Sequence, residues 1–218
     1  MTTRPDDAAR PSLTERRKAE TEREIARHAA ELFSAHGAAG VTAEGIAQAA
    51  GVSLRTFYRY FRTKEEAVTP LLTGGVHQWL AELTAAPAEL SVAEALERAV
   101  RGALTPQGPH AALRAEALES TRGLLRVVPG DPGLRSVWLR VHAETEESLV
   151  PALTELARRD TDPLQLRLTA AAANTAMRIA METWAATDAE PGDPERGPAA
   201  LAVRCLRGLT AGLRTPRA

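Results

Sequence analysis

Apolar residues recur along this chain at spacings of three and four and almost nowhere alternate with polar ones, so helices are expected and strands are not. From Leu13 to His36 the inward stripe is Ile25, Ala29, Leu32 and Phe33, at i, i+4, i+7 and i+8, one face of a helix. Helix starts are well marked. Ser12 with Glu15, Thr63 with Glu66 and Ser91 with Glu94 each read as a capping box, a hydroxyl followed three residues later by a carboxylate. Asp131-Pro132 and Asp162-Pro163 read as a capping aspartate with proline at the first helical position. Stops are expected at Gly37 and Gly51, which suit the left-handed residue after a helix, and at the Pro/Gly-rich stretches 106–109, 129–133 and 191–198.

These signals predict an all-α protein of roughly nine helices: Leu13–His36, Ala43–Ala50, Leu54–Phe61, Lys64–Ala85, Val92–Leu104, His110–Val127, Pro132–Arg159, Pro163–Thr187 and Glu195–Leu213. Residues 1–11 are polar and charged and are expected to form a disordered tail. Residues 12–67 group as a small helical unit, and 68–218 as a larger one.

Within the first unit two short helices follow one another closely. Thr42 can cap the first, with Ile46, Ala47 and Ala50 facing inward; Gly51 permits a tight reversal; Ser53 caps the second, whose Phe57 and Phe61 point into the core. Two helices joined by a glycine-containing turn form a helix-turn-helix, and the second of such a pair can enter the major groove of DNA. Between Gly51 and Lys64 the basic residues are Arg55, Arg59, Arg62 and Lys64 itself, with no acid among them, while Tyr58, Tyr60 and Thr56 add hydroxyls. Arginine forks onto a guanine edge, and Tyr, Thr and Lys suit phosphate oxygens. The chain's net charge is −1, so nucleic-acid affinity has to come from this local patch.

The segment VTAEGIAQAAGVSLRTFYRYFRTKEEAV, from Val41 to Val68, resembles the DNA-binding region of the TetR family of bacterial repressors. The matching features are the Thr before the second helix, the Ile-Ala pair, the Ala-Gly-Val-Ser turn, the Thr-Phe-Tyr-x-Tyr-Phe helix and the Lys-Glu start of the next helix. The resemblance implies that Leu54, Arg55, Thr56, Tyr58 and Tyr60 approach bases or phosphates, and that Thr42 and Lys64 meet phosphates. With the capping Ser53 and the basic Arg59, these residues form the candidate DNA-contacting set. Ala43 and Glu44 hold positions that reach DNA in some members, and the charge of Glu44 suits that role poorly. The resemblance also implies a three-helix DNA-binding domain followed by a ligand-binding and dimerisation domain, hence three partners: double-stranded operator DNA, a second copy in a homodimer, and a small-molecule effector. A repressor released by its effector is the leading expectation; a constitutive DNA-binding protein or an activator is the alternative.

The C-terminal residues allow this. Leu168, Ala171, Ala172, Thr175, Ala176, Ile179 and Ala180 form a ridge of mostly small side chains, and Leu201, Ala202, Cys205, Leu206 and Leu209 form a second stripe. Two such helices suit half of an intermolecular bundle, unless both pack onto their own core. The dimer candidates are Leu168, Ala172, Thr175, Ala176, Ile179, Leu201, Cys205 and Leu209. For a pocket, the large side chains in an Ala/Leu background are Trp79, Trp138, Met177, Met181 and Trp184, with His142 and Arg178 as polar anchors; each can equally be plain core. The lining favours an apolar or amphipathic ligand. Pro70, read as two turns into its helix and followed by Gly74 and Gly75, suggests a bend or hinge there, unless the fourth helix simply starts later or is broken.

Catalysis and metal binding find no support. No histidine follows a glutamate by three residues, no glycine-rich phosphate loop or Gly-x-Ser-x-Gly elbow appears, and the lone Cys205 with scattered histidines offers no ligand spacing. No cofactor is expected. A single cysteine and the lack of a signal-like or membrane-spanning stretch point to the cytoplasm, since even Ala170–Ala186 is interrupted by Arg178 and Glu182.

Overall fold

A computed structural model describes residues 12–157 and 161–210, which are all-helical. Among these described residues the nine α-helices are α1 Leu13–His36, α2 Ala43–Ala49, α3 Leu54–Tyr60, α4 Thr69–Thr84, α5 Val92–Leu104, α6 Ala111–Val127, α7 Pro132–Leu156, α8 Pro163–Ala185 and α9 Pro198–Thr210. The proposed tail, the expected end of α7 at Arg159 and that of α9 at Leu213 lie outside the described residues.

The caps form as the sequence demands. Ser12 and Ser91 complete reciprocal boxes with Glu15 and Glu94, and Asp131 and Asp162 accept the amides of Leu134 and Leu164. The third box forms only by half. Thr63 accepts the Glu66 amide, but the Glu66 carboxylate turns instead to the backbone N–H of Arg62 at 3.0 Å. The segment after Thr63 is accordingly no α-helix start: Glu65–Val68 is a 3-10 turn, and α4 begins at Thr69.

That later start corrects the reading of Pro70. Proline sits in the first turn of α4, where its missing N–H would have found no intrahelical acceptor, so it neither breaks nor bends the helix. Gly74 and Gly75 continue the helix as exposed residues. A hinge argued from this proline loses its basis.

The N-terminal core gathers Ile25, Ala29, Phe33, Val41, Ile46, Ala47, Phe57 and Phe61, and it runs on through Ala67 and Val68 into Leu72, Trp79 and Leu83 without a gap. The boundary drawn at residue 67 therefore falls inside a buried turn. Beyond it, α4 packs against α5 and α7, α6 against α1 and α8, and α8 against both α7 and α9. The helix-turn-helix unit and the larger bundle thus share α1 and α4 as common walls.

Candidate nucleic-acid interface and internal cavity

Helices α2 and α3 are held at a fixed angle by what they bury. Gly51 adopts φ +66° between them, a conformation a side chain resists, and the amide of Val52 returns to the carbonyl of Ala47. Phe57 is fully buried, with Phe61 beside it at 5.5 Å between ring centroids. With one face so anchored, the other face of α3 is left outward. Leu54 and Tyr58 are 40% and 54% exposed, and Arg55, Arg59 and Arg62 are exposed with them.

The polar residues of the candidate set divide into those free to reach a duplex and those already occupied. Thr42 and Ser53 are exposed but serve as caps, accepting the amides of Gly45 at 3.0 Å and Thr56 at 3.1 Å. The hydroxyl of Thr56 is paired with that of Ser53 at 2.9 Å. The Arg59 guanidinium lies 5.0 Å from the centre of the Tyr60 ring, with Nη2 donating to its hydroxyl at 3.3 Å. Lys64 departs most from expectation. Its ammonium donates to the carbonyls of Ala38 at 2.6 Å and Val41 at 2.8 Å, so it staples the loop before α2 to the turn after α3. Two of its three protons are thereby spent inside the chain.

Glu66, read from the sequence only as a cap, connects the two halves. One carboxylate oxygen holds the Arg62 amide, and the other accepts from Arg140 of α7 at 3.4 Å. Its second role was not legible, because Arg140 lies 74 positions further along the chain.

On either side of Arg140, at Trp138 and His142, α7 forms part of the wall of a cavity of about 530 Å³, open on one side and lined by residues of α1, α4, α5, α6, α7 and α8. Leu71, Leu72, Val76, Leu104, Leu118 and other apolar side chains form most of its lining. Of the seven candidate pocket residues, Trp79, Trp138, His142, Met177 and Met181 line it. Arg178 and Trp184 do not. Arg178 pairs with Glu182 one helical turn on, at 3.2 Å, while Trp184 is fully buried elsewhere, donating to the Ala189 carbonyl under the Arg122 guanidinium. The helix-face arithmetic that grouped them on α8 cannot tell which side of a two-sided buried helix meets a void.

His142 is buried, and its Nδ1 lies 2.7 Å from Oδ1 of Asn174 on α8, whose amide nitrogen donates to the His142 carbonyl. Burial, opposed in part by the Asn174 hydrogen bond and aided by the charge of Arg178, holds the imidazole below its ordinary pKa and so in the neutral form. Asn174 was missed in the sequence, where a polar residue within an alanine-rich helix carries no sign of its partner.

The dimer candidates also divide. Leu168, Ile179 and Leu209 are 45%, 39% and 41% exposed, with Ala172, Thr175 and Cys205 half-buried among them. Leu164, 61% exposed, extends this face of α8 by one turn. Ala176 and Leu201, by contrast, are spent on the chain's own core at 0% and 5% exposure, because the α8–α9 contact within one chain claims the sides they occupy. Among the described residues no helix is long and apolar enough to cross a membrane, and no group of three or more His, Cys, Asp or Glu could hold a metal ion.

Residues 25–68 match the family model of bacterial regulatory proteins, tetR family. The chain is 33% identical over 144 residues to the HTH-type transcriptional regulator TcmR of Streptomyces glaucescens, a match spanning 64% of this chain and 61% of TcmR. Among solved structures it is similar to a tetR-family transcriptional regulator from Streptomyces coelicolor, with TM-score 0.53 and 17% identity over 88% of this chain and 79% of that one. It is likewise similar to FadR of Thermus thermophilus, a TetR family transcriptional repressor solved in complex with lauroyl-CoA, with TM-score 0.53 and 24% identity over 90% and 97% of the two chains. At these identities the two structures speak for the fold alone. Together with the helix-turn-helix geometry, the matched segment and the identity to TcmR show that residues 25–68 are similar to the N-terminal segment of bacterial regulatory proteins of the tetR family.

Proposed function

We propose that this protein is a transcriptional repressor that binds a palindromic DNA operator as a homodimer and is released by a small, largely apolar effector. The observation that carries this is the outward face of α3. It is basic and free of acids, and it is braced from behind by Phe57 and Phe61 so that a short helix can keep its shape inside a groove. The exposed leucine and isoleucine face of α8, extended by Leu209 of α9, supports a two-fold assembly, which two half-sites on DNA require. The cavity favours an effector-responsive regulator over a constitutive one, because a protein with no ligand gains nothing from an unfilled apolar volume of this size. FadR, a protein of the same fold, was solved with a ligand that carries an apolar chain.

The route from effector to DNA that the contacts support runs through α7. Trp138 and His142 line the cavity, Arg140 between them holds Glu66, and Glu66 holds the end of the recognition segment at Arg62. Selection of bound sequences from a random DNA pool, followed by fluorescence anisotropy across a salt series, tests the reading. A palindromic site whose affinity falls steeply with salt is expected. Absence of any salt-sensitive affinity for double-stranded oligonucleotides would end it.

A further inference from the structure

Most of the charges around the cavity are answered by others. Arg27 forks between Glu24 and Glu31 at 2.6 Å each, and Arg23 and Glu116, both exposed on the lining, bring opposite signs. Arg114 of α6 is different. It is half-buried, and among the described residues no carboxylate comes within ion-pair distance of it. The Glu82 carboxylate packs against Gly102 without reaching it. The acceptors it does have are neutral. Nη1 donates to the Gly102 carbonyl of α5 at 3.1 Å, and Nη1 and Nη2 donate to the amide oxygen of Gln78 on α4 at 2.9 and 3.1 Å. Gln78 must present its oxygen here, since its nitrogen would set donor against donor.

Of the five N–H protons of this guanidinium, one goes to Gly102 and two to Gln78. The remaining two, on Nε and Nη2, lie side by side along one edge, the fork that matches the two oxygens of a carboxylate. Neither nitrogen is sealed from solvent. Arg114 lines the cavity, as do Gln78 and the two residues that follow Gly102 on α5, Ala103 and Leu104. A side chain that leaves α6 and is tied to both α4 and α5 therefore crosses between three walls of one space. Held on neutral acceptors, the guanidinium keeps its whole charge in a half-buried place. Because the fork is already aimed, an anion that meets it has little ordering cost left to overcome.

Resting on the reading of this cavity as the effector site, we propose that it selects an amphipathic monoanion whose carboxylate meets the Nε–Nη2 edge of Arg114 while its apolar body lies among Leu71, Leu72, Val76 and Leu118. One guanidinium without a carboxylate suits one negative charge. Gln78 is a positioning residue, turning the fork away from α4. A neutral molecule of the same shape leaves the charge unanswered, and a cation meets it with like sign.

The test is a calorimetric series near neutral pH with two matched pairs of probes, decanoate against 1-decanol and 4-biphenylcarboxylate against 4-biphenylmethanol, and with decylammonium as the cation. Each is titrated, below any micelle concentration, into the full chain and into Arg114→Gln, Arg114→Lys, Arg23→Gln and the cavity-filling Val76→Trp, with circular dichroism reporting the fold of each variant. In both pairs the carboxylate should bind about tenfold more tightly than the alcohol, and decylammonium most weakly. Arg114→Gln should erase that advantage and leave the alcohols within about twofold of their original affinity, which a merely structural arginine would not do. Arg114→Lys, which keeps the charge and loses the fork, should reduce the advantage to about threefold, and it decides the matter if the glutamine variant is unfolded. Val76→Trp should weaken every probe. Equal affinity within the pairs, an advantage that both Arg114 variants retain in full, an equal loss for carboxylate and alcohol in Arg114→Gln, or an advantage that vanishes in Arg23→Gln instead overturns the assignment to Arg114. The cavity remains a binding site in those cases if Val76→Trp still blocks it. Binding that Val76→Trp leaves untouched, or no binding by any probe, overturns the effector-site reading itself.

Discussion

The sequence placed Lys64 on a DNA phosphate, whereas its ammonium is turned onto the carbonyls of Ala38 and Val41. Replacing it by methionine separates these roles, because the apolar stem stays and only the charge and its hydrogen bonds are lost. A hydrogen bond from a charged donor is worth about 1.5–3 kcal/mol. The side chain keeps 27% of its surface in solvent, so water can take over part of what is lost. Counting roughly one of the two bonds in full gives a loss of about 2 kcal/mol. For a chain of this size that corresponds to a drop in Tm of about 4–8 °C. Operator affinity should fall modestly, since the loop that delivers Thr42 and α2 is loosened. The slope of log K against log salt should stay unchanged, because no phosphate contact disappears. Thermal melts by far-UV circular dichroism and anisotropy titrations over a salt series measure the two quantities side by side. An unchanged Tm with a salt slope reduced by about one would refute the staple and restore the phosphate contact.

Four other outcomes follow from the same structure. Gly51→Ala should cost about 1–2 kcal/mol in urea unfolding, purely from forcing a side chain to φ +66°, since the space around an added Cβ is open to 4 Å. Arg55→Ala should lose roughly 1–3 kcal/mol on a specific operator and much less on random duplex if it forks onto a guanine; equal losses on both would remove it from base reading. Leu168→Glu combined with Ile179→Glu should shift sedimentation from dimer to monomer with little change in helix content, since both side chains are exposed in the single chain. His142 has its pKa lowered by burial, so between the unfolded value near 6.5 and the lower folded value the unfolded chain binds the extra proton. Stability should therefore be intact above that pH and decline as pH falls below it. His142→Phe should flatten this decline in melts taken from about pH 7.5 to 5.5.

Where helices begin and end was legible because caps are local. Ser12, Ser91, Asp131 and Asp162 satisfy amides two or three residues away, and no distant residue can change that geometry. Thr63 shows the limit of this rule. Its box was half-formed because Glu66 found the Arg62 amide and, across the fold, Arg140. The helix that was expected to begin at Lys64 starts at Thr69 instead, and the anomaly seen in Pro70 vanishes with it.

The sequence by itself determined an all-helical chain and a helix-turn-helix with one apolar and one basic face, since both depend on periodicity and on contacts a few residues apart. Only the tertiary structure decided which side of α8 meets a cavity, which meets α9 and which stays exposed, and so retained Met177 and Met181 in the lining while removing Arg178 and Trp184. It alone also joined His142 to Asn174, 32 residues away, and Lys64 to carbonyls 23 and 26 residues behind it. The physical reason is the same in each case. A hydrogen bond or a void between helices is set by how whole helices pack, and packing registers leave no mark on the spacing of residues within any one of them.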